Sequence, residues 1–446
     1  MLSNRSTLTA LTMLVVAATA QAEAADTIVP SRKTVSSNAD WFQWRGPRGD
    51  GVSLETGWST NWPDEGPEIL WRVDLGVADN RDGSSTVSVV GGRVCVMGIG
   101  HMHCLDAESG KEIWKIPFTA SHSTPAVENG RVYIYGTQGR FSCLNAETGE
   151  AVWSKDLHQG QSRFARRAGA YGYAASPVLM GDVVLISARL DGGALVALDK
   201  QTGEVKWKAF HAGHKGYAFW STPVVTSIEQ KPCIVWLTGP SVVGLKSDNG
   251  ETLWKYDIPV ENEKVGCAAA SPVIFGNRVV AQYHPPHARG YTFCLEIKDG
   301  KASVVWTTRN LANWYLSCVG YDGCLYGVDQ SPRGRPRDMG GLQCYDIATG
   351  RLLWSINGFG QDGIRPVRYT RKLVPTGTFV IADGKMISWA KELVVAEVSA
   401  KGHKVLCSAK LPYTGYRTMP VLASGRLYLR ARDGNLVCLD VRKEQQ

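Results

Sequence analysis

The sequence predicts an all-β chain, an eight-bladed β-propeller whose ring is closed by an N-terminal strand. Three observations carry that prediction. First, an eleven-residue unit, ALDKQTGEVKW (197–207), recurs at 104–114, 143–153, 244–254 and 344–354, with a version two residues longer at 294–306. Second, its tryptophans fall at 114, 153, 207, 254, 306 and 354, a spacing of 39 to 54 residues, which is the period of propellers and arrays. Third, one strand-like segment, EILWRVDL (68–75), precedes the first repeat and has no repeat of its own.

Each repeat reads as four antiparallel strands. Segments such as STPAVENGRVYIYG (123–136) and ASPVLMGDVVLIS (175–187) alternate apolar residues about a Gly, Asn or Asp turn, the pattern of two short strands in a hairpin. A third strand runs into the repeated unit, where Asp106 or Asp199 can hydrogen-bond the turn backbone and Gly110 or Gly203 supplies a positive φ. The fourth strand ends on the tryptophan. No such blade can bury both of its faces alone, so blades must stack into a ring. Strand sets begin near Ser85, Ser123, Ala175, Ser221, Ala270, Leu316, Thr376 and Thr418, which makes eight. The seventh carries Leu406 and Cys407 where tryptophan would stand, and the eighth stops at its third strand. Pairing 68–75 into the eighth blade closes the ring and removes two open edges.

Residues 1–22 carry Arg5, the apolar run LTALTMLVVAATA and small residues at a cleavage position, the organisation of a secretory signal. The expected layout is a signal peptide over 1–22, an N-terminal arm over 23–67 and the propeller over 68–441. The apolar run is too short to span a membrane and no other segment approaches the length required. The expected location is therefore periplasmic or extracellular, for a monomeric chain. Of the eleven cysteines, Cys104, Cys143, Cys294, Cys344 and Cys438 share one slot of the repeat, taken by Ala197 or Gly244 elsewhere. They are read as packing groups. Cys318 and Cys324 could pair, with nothing in the sequence to show that they do. The absence of any C-x-x-C argues against a structural zinc site.

The formal charge is +8, and +7 without residues 1–22. The basic residues form no run, but their placement is uneven. Loops between blades, and those joining second and third strands, emerge on one face of a propeller. Segments expected there include SRFARRAGAYGYA (162–174), FHAGHKGYAFW (210–220), TRNLANWYL (308–316), SPRGRPRD (331–338), GIRPVRYTRK (363–372) and LPYTGYR (411–417). With HPPHARG (284–290) they hold twelve arginines, many aromatics and few acids. The candidate binding residues of this funnel are Arg163, Arg166, Arg167, Tyr171, Tyr173, His214, Lys215, Tyr217, Trp220, Asn313, Trp314, Arg365, Arg368, Tyr416 and Arg417. Arginine forks grip carboxylate, sulfate or phosphate while tyrosine and tryptophan stack on flat faces. A metal site would draw on His211, His214, His284 and His287, although the plainer reading of these is loop histidines without metal.

The repeated unit resembles the tryptophan-docking repeat of the pyrroloquinoline quinone (PQQ)-like eight-bladed propellers, shared by quinoprotein alcohol dehydrogenases and an outer-membrane assembly lipoprotein. The arm DWFQWRGPRGDGVS (40–53) is similar to the start of secreted PQQ-binding-like repeat proteins. For the dehydrogenases the resemblance implies PQQ stacked near the axis on a tryptophan floor, a calcium ion, an aspartate base and, in many members, two adjacent cysteines in a vicinal disulfide. Here no two cysteines are adjacent, and Asp191, Asp329 and Asp362 are the available acids without any one of them being assignable as a base. The expected function is an exported, non-catalytic binding or interaction scaffold for an anionic small molecule, an acidic glycan or a protein partner, with export arguing against nucleic acid. The alternatives are a PQQ- and calcium-dependent alcohol or sugar dehydrogenase and a cell-envelope assembly scaffold.

Overall fold

The computed structural model describes residues 40–76, 85–119, 122–157, 174–190, 193–209, 220–259, 269–285, 290–312, 316–329, 341–356, 378–415 and 418–443. Among these there are no helices, and hence none long and apolar enough to cross a membrane. The strands form eight sheets, one per repeat. Blade 1 is typical, with an inner strand Ser88–Val90 followed outward by Arg93–Met97, His101–Asp106 and Glu112–Pro117. The inner strands of the next seven blades begin at Ala126, Val178, Val224, Val273, Val319, Thr378 and Val421.

The eighth blade is completed as the sequence predicts. Ile69–Asp74 pairs antiparallel with Asn435–Asp440, placing Trp71 opposite Cys438, and so supplies the outermost strand. The seventh blade holds a strand that the sequence reading missed. Val52–Ser53 adds in parallel to its inner strand, Val52 against Ile381 and Ser53 against Ala382, making five strands.

One contact repeats around the ring. Most outer-strand tryptophans dock on the repeat turn of the following blade, and four besides Trp71 donate the indole N–H to a backbone carbonyl there, whereas the buried Trp254 Nε1 has no partner. The donors and acceptors are Trp114 to Ala146 (3.0 Å), Trp153 to Lys200 (3.0 Å), Trp306 to Ile347 (2.8 Å) and Trp354 to Ser399 (2.8 Å). Trp71 makes the same bond to Ala107 of blade 1 at 3.1 Å, so the seam between the two ends of the chain is built like the others. The glycine of the turn is needed twice over. At Gly110 φ is +69°, and a Cβ would lie 2.6 Å from the Trp71 indole. In the seventh blade Cys407 stands opposite Val395, in the register tryptophan occupies elsewhere.

A bulge falls just before each docking residue, between Cys104 and Leu105 in blade 1 and at the matching place in the others. It leaves residues such as Ile113 and Val152 exposed on the outermost strand. Bulged, twisted edges resist pairing with a second sheet. Near the axis, blades are tied by hydroxyls at the start of the inner strands. The N–H of Thr86 donates to Thr124 Oγ1 (3.3 Å), that of Thr124 to Ser176 Oγ (2.9 Å), that of Ser176 to Thr222 Oγ1 (3.0 Å) and that of Ser271 to Ser317 Oγ (2.8 Å).

The repeat cysteines are buried beside the tryptophans, Cys104 opposite Trp114 and Cys344 opposite Trp354, and burial pushes the thiols of Cys143 up to about 11 and of Cys294 and Cys438 up to about 12. That fits packing groups. Cys318 and Cys324, like Cys95 and Cys104, are free thiols in this structure.

Two outcomes follow. Trp153→Ala removes a buried indole and its hydrogen bond, and should lower the unfolding free energy by about 3–5 kcal/mol in denaturant titration. Trp207→Ala, at a half-buried copy, should cost less. The repeat-turn aspartates set the acid limit. Asp199 is held down to about 2 by the Thr202 N–H and by Lys206, and Asp106 is lowered by Ser109. Folded values below the unfolded value of about 3.9 mean that their stabilisation is present above that pH and is lost as pH falls towards 2. Melting temperature should be flat down to about pH 4.5 and then decline. Asp199→Asn should reduce that decline slightly, since exposed groups contribute little.

Candidate functional site: a plugged axis and an open face

The two faces of the ring differ in what covers them. On the face of the repeat turns, the arm from Asp40 onward enters over blade 1, where Trp41 and Val89 exchange two backbone hydrogen bonds of 2.8 Å. Val127 of blade 2 donates to the Phe42 carbonyl (2.8 Å) and Leu179 of blade 3 to Gln43 Oε1 (3.1 Å). Trp44 Nε1 reaches Ser271 Oγ of blade 5 (3.2 Å), and Arg45 Nη2 reaches the Cys318 carbonyl of blade 6 (2.6 Å). The arm leaves by pairing with blade 7, and Ser53 Oγ donates to Leu422 of blade 8 (3.0 Å). Fourteen residues thus touch the inner edge of seven blades and fill the channel at this end. Glu55 then caps the turn of blade 8 by accepting from Ser424 (2.6 Å) and Gly425 (3.2 Å), and Trp58 lies under the Lys385 ammonium at 5.4 Å.

Arg45 is the centre of this plug. It is fully buried at a φ of 62°, its Nε donates to the Gly49 carbonyl (3.0 Å), its Nη2 also reaches the Asp50 carbonyl (2.7 Å), and its Nη1 has no partner. Burial lowers its pKa to about 10 against the opposing charge of Asp50, which leaves it cationic at neutral pH. The close turn around it requires glycine. At Gly51 φ is +82° and a Cβ would lie 2.9 Å from Val319.

The opposite face is where the outer strands end and where second strands turn into third. Three arginines stack on aromatic rings around its rim. Arg140 lies over Phe118 (5.7 Å), Arg309 over Tyr291 (5.6 Å), and Arg72 over Tyr413 (5.9 Å) while donating to its hydroxyl (2.9 Å). Arg430, at the end of the second strand of blade 8, is buried with Nε and Nη1 unpartnered, and burial lowers its pKa to about 10 against Asp74 and Asp433. The described rim is more mixed in charge than the sequence suggests, for it also carries Asp156, Asp257 and Glu392.

Of the residues singled out in the sequence, Arg163, Arg166, Arg167, Tyr171, Tyr173, His214, Lys215, Tyr217, Asn313, Trp314, Arg365, Arg368, Tyr416 and Arg417 lie outside the described residues, as do His211, His287, Asp191 and Asp362. Trp220 is half-buried beside Ser221. His284 is buried at the end of the second strand of blade 5, with Gly290 against its ring. Asp329 is buried and accepts from the Ala312 N–H at 2.9 Å, a structural bond. The sequence reading missed Arg45, Arg72, Arg140 and Arg430, and placed Arg309 on the funnel face without its stacking on Tyr291. The alternation of aromatics, arginine and glycines in 41–51 is the signal that marks the plug.

A family model described as outer membrane protein assembly factor BamB matches residues 63–171 and 121–356. The chain belongs to this family. Solved structures show the same fold. BamB from Moraxella catarrhalis superposes with a TM-score of 0.58 at 13% identity, covering 85% of this chain and 99% of that one. Quinohemoprotein alcohol dehydrogenase from Comamonas testosteroni gives 0.63 at 14% identity over 92% and 81%. A europium-containing methanol dehydrogenase gives 0.62 at 12% identity over 88% and 89%. A search of curated proteins returned no match.

The resemblance drawn from the sequence raises PQQ and calcium. The described part of the axis does not fit the ion. Its plugged end is held by a guanidinium, and among the described residues no three His, Cys, Asp or Glu side chains are grouped as metal ligands, whereas calcium takes six to eight oxygens. Trp71, Trp114, Trp153, Trp306 and Trp354 are committed to blade docking rather than to a floor for a quinone.

Arg45→Met should free the arm. Losing three charge-assisted bonds should lower stability on the order of 2–4 kcal/mol and speed tryptic cleavage after Arg48 in the folded protein. Unchanged cleavage and melting would mean that the arm is held without Arg45.

Proposed function

We propose that this chain is an exported, non-catalytic member of the BamB-type propeller family, a binding or interaction scaffold that takes an anionic partner on the face opposite the repeat turns. The carrying observation is the set of arginine-on-aromatic stacks at the rim of that face, Arg140 on Phe118, Arg309 on Tyr291 and Arg72 on Tyr413. A stacked guanidinium keeps its in-plane N–H donors available to carboxylate, sulfate or phosphate. The arm closes the other end of the channel, so a ligand on the axis has one way in. The family match, to an outer membrane assembly factor, supports both export and a scaffold role. The arginines at 163, 166, 167, 365, 368 and 417 belong to segments whose flanking strands end on this same face. An acidic glycan satisfies both halves of this chemistry, with anionic groups for the arginines and ring faces for the aromatics.

The test is retention on a heparin matrix. Reversal of Arg163, Arg166 and Arg167 to glutamate should abolish retention with the melting temperature nearly unchanged, because exposed charges contribute about 0–1 kcal/mol each. Reversal of Lys111, Lys206 and Arg351, on the turn face, should leave retention close to that of the native protein. Equal losses in the two triple variants would reduce the binding to diffuse surface charge.

A further inference from the structure

Blade 1 departs from the other cysteine-bearing blades in one respect. In blades 2, 6 and 8 the cysteine of the third strand faces a tyrosine of the second, Cys143 opposite Tyr133, Cys344 opposite Tyr326 and Cys438 opposite Tyr428. In blade 1 the second-strand position is Cys95, directly opposite Cys104. Two thiols therefore face each other where blades 2, 6 and 8 place a phenol and a thiol and blade 5 places Val280 opposite Cys294. Direct antiparallel partners project to the same side of the sheet, and both sulfurs lie in the layer between blades 1 and 2 beside Trp114.

The ladder fixes their geometry further. Gly98 donates to the His101 carbonyl at one end of this strand pair, and Ala107 donates to the Gly92 carbonyl at the other. Hydrogen-bonded and non-hydrogen-bonded pairs alternate along an antiparallel ladder. Counting inward from 98/101, the bonded pairs are 98/101, 96/103 and 94/105, in phase with 92/107, so 95/104 is a non-bonded pair. Such pairs bring Cα atoms to about 4.5 Å, at the short end of the 4.4–6.8 Å range that a disulfide spans. Among the described cysteines this is the one pair in direct register: Cys324 faces Asp346, and Cys318 precedes the inner strand of its blade.

We propose that Cys95 and Cys104 form a cross-strand disulfide within blade 1, closed by a thiol–disulfide oxidant. With glutathione disulfide as that oxidant, one cysteine thiolate attacks a glutathione sulfur, forming a mixed disulfide and releasing one glutathione thiolate. The second cysteine, deprotonated, attacks the protein sulfur of the mixed disulfide and releases the other glutathione. One S–S bond forms, two cysteine protons are lost, and both electrons pass to glutathione, which leaves as two thiols. Because both side chains are buried in the folded ring, the exchange belongs to folding, before blade 2 covers the pair. The linked hairpin carries the turn on which Trp71 docks, so the bond would brace the blade at the closing seam.

The experiment is to refold the full chain in a glutathione and glutathione disulfide buffer, denature it without reductant, alkylate free thiols and digest with trypsin. The peptide 94–111, released by cleavage after Arg93 and Lys111, contains both cysteines. The expected result is a peptide lighter by two hydrogens with no alkyl label, converted by prior reduction to one with two labels. Native protein refolded under reducing conditions should carry two labels on the same peptide. Two labels after oxidative refolding, a glutathione adduct, or linkage of either cysteine to another peptide would each overturn the proposal. The readout is on the unaltered chain, so it does not depend on a variant folding.

Discussion

The docking of outer-strand tryptophans on the turn of the next blade, made by Trp71, Trp114, Trp153, Trp306 and Trp354, is the contact on which the rest depends. A four-stranded blade has two apolar faces and covers neither by itself, so every blade's stability is borrowed from its neighbours. The turn must offer an acceptor carbonyl, a positive φ and empty space above the Cα, and the sequence T-G or S-G before a charged residue delivers all three. At the seam, Trp71 and Gly110 come from the chain's two sides of the first blade and still repeat the contact found at Trp114 with Gly149 and at Trp153 with Gly203. The ring is therefore closed by the same interaction that builds it.

What was legible in the sequence followed from that repetition. Eight blades, their order and the identity of the closing strand were readable because each blade repeats one physical solution, and a missing copy of it, EILWRVDL, points to its own place. The seventh blade was also readable as degenerate, with Cys407 in the tryptophan slot. The plug was not readable, because the arm has no partner in the repeat. Its aromatics, Arg45 and glycines make sense only against a channel that exists once all eight blades are assembled. The stacks of Arg140 on Phe118 and Arg309 on Tyr291 were missed for the same reason: each joins residues from separate turns or strands that only the blade's curvature brings together. Conversely, the loop arginines stood out in sequence through composition alone, which says which face they share and nothing about their mutual geometry.

The arrangement gives the two faces different roles. The turn face is crossed by the arm, which ties seven blades to one another at their inner edges and spends a buried cation to do so. A lone buried guanidinium is costly, and three backbone carbonyls offset part of that cost. The opposite face keeps its aromatics and arginines at the rim, with Arg430 beneath it. On the proposed reading, a ring stopped at one end and edged at the other with stacked arginines serves as a platform for a partner more readily than as a conduit.

Native-state hydrogen exchange tests the closure most directly. If the ring is closed by docking at the seam, amides of Trp71 to Asp74 and of their partners Asn435 to Cys438 exchange as slowly as those of the interior blade strand Ser241–Lys246, and they open with it in one cooperative step. Fast exchange confined to the seam strands, with the interior blades still protected, would show an open ring whose N-terminal strand is an appendage, and would contradict the account.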